Sequence, residues 1–221
     1  MKRKTYNNKG DKYEEKVFDY CSSKGFIIKD SIRAGASAET DLKLNYKGEQ
    51  INVEIKTYGA DWGQKYLRWD HLTGWEWSKP DKTTAIYDAL NVKDNIDKNF
   101  VPLLYTKPKN LITFEDKKSD QKNFEKPNLL LPLAPLFAFY SNRNTYYIQI
   151  EDYGFYHLQS DVYNLGTNQF DGEMKLRLRA KTISSTPASR YGFLAAMKLS
   201  KFPSSSKFDL TEQREKIFPL I

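Results

Sequence analysis

Two runs of alternating apolar and polar residues, Thr40-Asp41-Leu42-Lys43-Leu44-Asn45-Tyr46 and Gln50-Ile51-Asn52-Val53-Glu54-Ile55-Lys56-Thr57, flank Lys47-Gly48-Glu49. Period-two alternation marks a half-buried strand, and a short glycine-bearing joint between two such runs is a hairpin turn. Leu42, Leu44 and Tyr46 then share one face with Ile51, Val53 and Ile55. Asp41, Lys43, Asn45, Asn52, Glu54 and Lys56 share the other. A fold that contains this hairpin must cover its apolar face. It must also gather Asp41, Glu54 and Lys56 at the open end.

Upstream, residues 11–24 place Tyr13, Val17, Phe18 and Cys21 at helical spacing, and Gly25 provides the stop. Residues 26–32 read as a strand and 33–39 as a loop of small residues. Downstream, Trp62, Leu67 and Trp69 suggest a helix or an irregular packed stretch. Residues 83–92 look helical, 101–104 and 111–114 look like strands, and 117–126 read as an exposed polar loop or an insertion boundary. The segment 128–140, interrupted by Pro132 and Pro135, reads as a helix or an irregular core wall. From Tyr146 onward the character is β, with strands expected at 147–150, 155–158 and 174–183. In the last, Met174, Leu176, Leu178 and Ala180 alternate with Lys175, Arg177, Arg179 and Lys181. Residues 192–199 fit strand or helix, and 209–218 a terminal helix. The expected class is α/β (α+β), as one domain over 1–221. Its core spans about 9–115, and a β-rich extension over about 128–221 packs on the same sheet.

The chain's 221 residues are 39% hydrophobic and 14% aromatic, enough for a sizeable core and too apolar for global disorder. A net charge of +7 suits a polyanionic partner, although it also serves solubility alone. The single cysteine, Cys21, sits in an apolar helical pattern and reads as core filler, so a reducing, cytoplasmic setting is expected. No signal-peptide or membrane-spanning pattern is present, so no membrane partner is expected. No Walker A or GxGxxG sequence points to a nucleotide cofactor, and His71 and His157 form no zinc pattern.

A hard divalent cation takes oxygen ligands from carboxylates, backbone carbonyls and water. Asp41 and Glu54 on neighbouring strands supply the acids, and the backbone carbonyl of Ile55 is a further candidate ligand. Lys56 shares Glu54's face and would stabilise charge developing on a phosphate, or help deprotonate a water. The competing reading is the solvated face of a hairpin. The same acid-x-lysine pattern recurs at Glu173-Met174-Lys175, where no acid precedes it on a neighbouring strand.

Lys9-Gly10, Glu14, Gly25-Phe26, Ala34-Gly35-Ala36-Ser37, Asp41 and Glu54-Ile55-Lys56 follow one another in an order that resembles the PD-(D/E)xK nuclease superfamily. The local similarity is to archaeal Holliday junction resolvases and phage nucleases, over roughly residues 9–70. Thr40 stands where the superfamily's naming proline would be. The resemblance implies a restriction-endonuclease-like mixed central sheet flanked by helices. It implies Glu14, Asp41, Glu54 and Ile55 as metal ligands for Mg²⁺, with Mn²⁺ able to substitute. Glu14, Asp41, Glu54 and Lys56 would be catalytic. Gln64 would be a further catalytic residue on the following helix, with Lys65 and Arg68 against phosphates.

In the second half, Lys175, Arg177, Arg179 and Lys181 form a basic strand face suited to phosphate contacts. Alternatively, they protect an edge strand from aggregation. The expected function is a divalent-metal-dependent DNA endonuclease of restriction-like or phage type, acting as a homodimer on double-stranded or branched DNA. A Holliday junction resolvase and a catalytically inactive nucleic-acid-binding protein are the alternatives.

Overall fold

The alternating stretch forms a β-hairpin in the computed structural model, which describes residues 9–27, 40–59, 61–182 and 191–211. The elements are α1 (Lys9–Ser23), β1 (Leu42–Tyr46), β2 (Glu49–Lys56), β3 (Gln64–Asp70), β4 (Gly74–Trp77), α2 (Lys82–Ala89) and α3 (Leu103–Thr106). They continue with α4 (Phe114–Phe124), β5 (Lys126–Leu131), α5 (Leu133–Ser141), β6 (Thr145–Ile150), β7 (Gly154–His157), β8 (Asn168–Gln169), β9 (Glu173–Thr182) and β10 (Tyr191–Lys201). Two short 3-10 turns lie at Val92–Asn95 and Lys109–Leu111. The class is mixed α+β, with two five-stranded sheets among the described residues. No helix among them is long and apolar enough to cross a membrane.

The chain divides into two compact units, each assembled from separated segments. One comprises Met1–Ala60, Phe137–Gly172 and Lys201–Ile221, and the other Asp61–Leu136 and Glu173–Ser200. This differs from a core at 9–115 followed by an extension on the same sheet. Strands β6 to β8 do join β1 and β2, whereas β9 and β10 belong to the other sheet with β3, β4 and β5.

In the first unit the sheet order is β1-β2-β6-β7-β8. The β1–β2 pair is antiparallel, closed by Lys47 and Gly48 at φ 50° and 86°. A two-residue turn with both φ values positive matches the twist of the flanking strands, and glycine adopts it without steric cost. Strand β6 pairs with β2 in parallel. Leu42, Leu44, Ile51, Val53, Ile55 and Tyr147 line one face and bury against Tyr13, Val17 and Cys21 of α1. Those helix residues recur every fourth position, and complete burial of Val17 contributes roughly 1.5–3 kcal/mol. Burial pushes the Cys21 thiol up to about 12, in keeping with core filler rather than a nucleophile. Gln149, fully buried on β6, donates to Tyr13 Oη (2.9 Å) and Asp209 Oδ1 (3.1 Å) and accepts from Leu210 N–H (3.1 Å). One amide thereby ties helix, sheet and C-terminal segment together.

On the opposite face, pairing aligns Glu54, Ile148 and Tyr156. Tyr156 packs edge-on to Phe170, and Phe170 to Phe137 of α5. Helix α1 therefore covers one face of this sheet and α5 the other.

The second unit has the sheet order β4-β3-β10-β9-β5. Three sequence expectations fail here. Residues 62–69 are neither helical nor irregular, because Gln64–Asp70 is a strand closed into a hairpin with β4. Residues 101–104 and 111–114 are not strands: the first leads into α3, and in the second Thr113 caps α4. Residues 117–126 are not an exposed loop: 117–124 complete α4, Glu125 caps it and Lys126 opens β5. The buried positions of α4 are Asp116, Asp120 and Phe124, so acids occupy the inward stripe where apolar residues would have announced a helix. The Asp120 carboxylate accepts from the N–H groups of Leu103 (2.8 Å) and Leu104 (3.0 Å) and from Tyr191 Oη (2.5 Å). Segment 128–140 resolves into β5 and α5, and 192–199 into β10. The rest of the 26–32 strand beyond Ile27, which bridges to Leu44, lies outside the described residues. So do the 33–39 loop and the 212–218 part of the terminal helix.

Candidate active site

Asp41 stands one residue before β1. The β1–β2 register pairs Leu42 with Val53, and one further step sets Asp41 opposite Glu54. Two carboxylates so placed repel unless a positive charge joins them. Lys56 supplies it: Nζ contacts Glu54 Oε1 directly and lies 3.7 Å from Asp41 Oδ2. Its side chain retains 19% of its exposure and that of Glu54 13%, so water screens the group only partly.

The backbone holds Asp41 as well. Its Oδ2 accepts the Ile55 N–H at 2.9 Å. The N–H and C=O of one strand residue point to the same side of the strand, so the Ile55 carbonyl faces Asp41's edge too. The carbonyl of Lys56, one residue on, faces the other side and accepts the Glu151 N–H at 2.9 Å. Thr40 is buried and donates Oγ1–H to the Val53 carbonyl at 3.0 Å. That bond fixes the chain entering Asp41, a role that no local pattern around Thr40 signals.

Tyr140 of α5 completes the group, with Oη 3.2 Å from Glu54 Oε1. It is buried and lies 86 residues from Glu54 in sequence. Burial raises the Glu54 pKa and Asp41's charge adds to this, while Lys56 and the hydrogen bonds from Lys56 and Tyr140 oppose it; the net shift is upward. Burial alone would lower the Lys56 pKa, but Glu54 and Asp41 outweigh it and hold the ammonium well above its ordinary value. Beside these acids Lys56 is a charge and a donor rather than a base.

The donor set fits a hard divalent cation. Oδ2 of Asp41 and Oε1 of Glu54 take the protein's hydrogen bonds, and the other oxygen of each acid has no protein donor among the described residues. With the Ile55 carbonyl, two carboxylates make the kind of all-oxygen set that Mg²⁺ accepts while keeping several waters. Among the described residues no three His, Cys, Asp or Glu side chains gather at one point. Glu14 is half-buried on α1, which covers the sheet face opposite to Glu54 and Lys56.

The remaining predicted residues lie in the second unit. Gln64 is on strand β3, not on a helix, and its Nε2 donates to Asp61 Oδ2 at 2.7 Å. Lys65 is ion-paired with Asp81, and Arg68 with Glu76 at 2.8 Å. On β9, Lys175 Nζ donates to Asn128 Oδ1 at 2.9 Å and Arg177 Nη1 lies 3.2 Å from Asp61 Oδ1. Arg179 and Lys181 have no ion pair among the described residues. The edge-protection reading does not hold, because β9 lies between β10 and β5. Comparison with protein-family models, curated proteins and solved structures finds no match.

Proposed function

We propose that the chain is a divalent-metal-dependent DNA endonuclease of restriction-like or phage type, with its reaction centre at Asp41, Glu54 and Lys56. The observation that carries this reading is the facing of Asp41 and Glu54 across the β1–β2 pair with the Lys56 ammonium between them. Asp41, Glu54 and the Ile55 carbonyl would hold Mg²⁺, or Mn²⁺ in its place. When bound, the ion supplies Lewis acidity and a more acidic water. Lys56 offers an ammonium to the negative charge that grows on the phosphate. A mixed sheet with α1 on one face and α5 on the other accords with the restriction-endonuclease-like arrangement that the sequence resemblance implies. The net charge of +7 and the Arg179–Lys181 end of β9 suit a DNA backbone.

The test is cleavage of plasmid, linear duplex, single strand and four-way junction with Mg²⁺ or Mn²⁺, alongside Lys56→Ala. Cutting at recurrent sequences supports the restriction-type reading, and cutting confined to the junction supports a resolvase. DNA binding with no cleavage of any substrate would make the chain a binding protein and end the enzyme reading.

A further inference from the structure

We infer that Tyr140 is a positioning residue for Glu54, fixing which carboxylate oxygen is presented to a divalent cation. The inference rests on the reading of Asp41 and Glu54 as cation ligands. Glutamate has three rotatable side-chain bonds, and its tie to Lys56 is to an ammonium on a flexible stem, which alone would not hold one rotamer. Tyr140 adds a donor from a different element. Its ring is set by α5, against Phe139 at 5.5 Å, and its hydroxyl reaches the same Oε1 that Lys56 contacts. An ionised carboxylate only accepts hydrogen bonds, so the phenol must be the donor. With both donors on Oε1, Oε2 is the oxygen left without a protein partner among the described residues. Asp41 is treated alike, with Oδ2 bound to the Ile55 N–H and Oδ1 left open.

Hydrogen-bonded partners of metal-ligating carboxylates are worth about 10- to 100-fold in metal affinity. The experiment is Mn²⁺ binding to the full chain, followed by calorimetry, for wild type, Tyr140→Phe, Tyr140→Leu and Glu54→Gln. Tyr140→Phe keeps the ring and its packing, so its melting temperature should stay close to that of wild type while the Kd for Mn²⁺ rises about 10- to 100-fold. Tyr140→Leu should weaken binding to the same degree, since the hydroxyl and not the ring is what counts. Wild-type Mn²⁺ affinity in both Tyr140 variants, with binding lost in Glu54→Gln, overturns the positioning role and leaves the cation site standing. Wild-type affinity in Glu54→Gln as well, or no binding by wild type, overturns both.

Discussion

The Asp41 carboxylate accepts the backbone N–H of Ile55 at 2.9 Å, so one acid grips the peptide between the other two members of the site. This bond separates a structural role of Asp41 from a chemical one. Asp41→Asn keeps an acceptor oxygen for the Ile55 N–H but loses the charge. It should unfold near the wild-type temperature while losing cleavage. Asp41→Ala loses both and should cost about 1.5–3 kcal/mol in addition, the worth of a hydrogen bond to a charged group. Thermal unfolding and cleavage rates on the same preparations check this. Full activity in Asp41→Asn would leave the residue a merely structural role.

Ion pairing divides the basic residues. Lys65, Arg68 and Arg177 face Asp81, Glu76 and Asp61, and their charge is partly spent within the protein. Arg179 and Lys181 have no such ion pair among the described residues. Each phosphate contact contributes about 0.9 to the slope of log K against log salt. Replacing Arg179 and Lys181 together by Ala should therefore flatten the slope for DNA by about two units. Lys65→Ala with Arg68→Ala should leave it nearly unchanged. Titrations over a range of salt concentrations decide it, and equal slopes for all three proteins would remove β9 from the DNA surface.

Stability of the second unit should carry a pH signature from Asp116. Lys107 Nζ at 2.6 Å, with the Thr113 N–H at 2.9 Å, holds this carboxyl below the ordinary aspartate range. A depressed folded pKa means that the unfolded chain takes up the proton first. The stabilisation is therefore present above the ordinary value of about 3.9 and is lost as pH falls through the lower folded value. Asp116→Asn should lower the urea midpoint at neutral pH, and its gap from wild type should narrow in acid. A gap independent of pH would contradict the assignment.

Gln149 makes a similar case for the first unit. Gln149→Leu keeps the volume but strands the buried Leu210 N–H, while Asp209 Oδ1 keeps its bonds from Thr211. The expected cost is about 1–3 kcal/mol for the N–H left unpaired, read from urea unfolding. A loss below about 0.5 kcal/mol would mean that water replaces the amide.

What could be read from the chain depended on how far apart the partners lie. The hairpin and its charged face were legible because alternation is local, and Asp41, Glu54 and Lys56 fall within sixteen positions of one another. Helix α4 was hidden because Asp116 and Asp120 turn inward to cap and brace other segments, which breaks the apolar stripe. Strand β3 was hidden because only Leu67 of its residues is buried, so its alternation is faint. Tyr140 was out of reach because nothing local to an apolar, proline-interrupted segment reveals a hydroxyl aimed at an acid on a distant strand. The division into two units, each crossed twice or more by the chain, is likewise set by long-range pairing.

The most direct measurement is the rate at which supercoiled plasmid is nicked in Mg²⁺ by wild type and by Glu54→Gln, side by side, with a chelator control. Wild type should nick, stop on chelation, and exceed Glu54→Gln by about 100-fold or more, the scale on which loss of one electrostatic stabiliser acts. Nicking by Glu54→Gln at the wild-type rate, or wild-type nicking indifferent to the chelator, would contradict a cation site at Asp41 and Glu54.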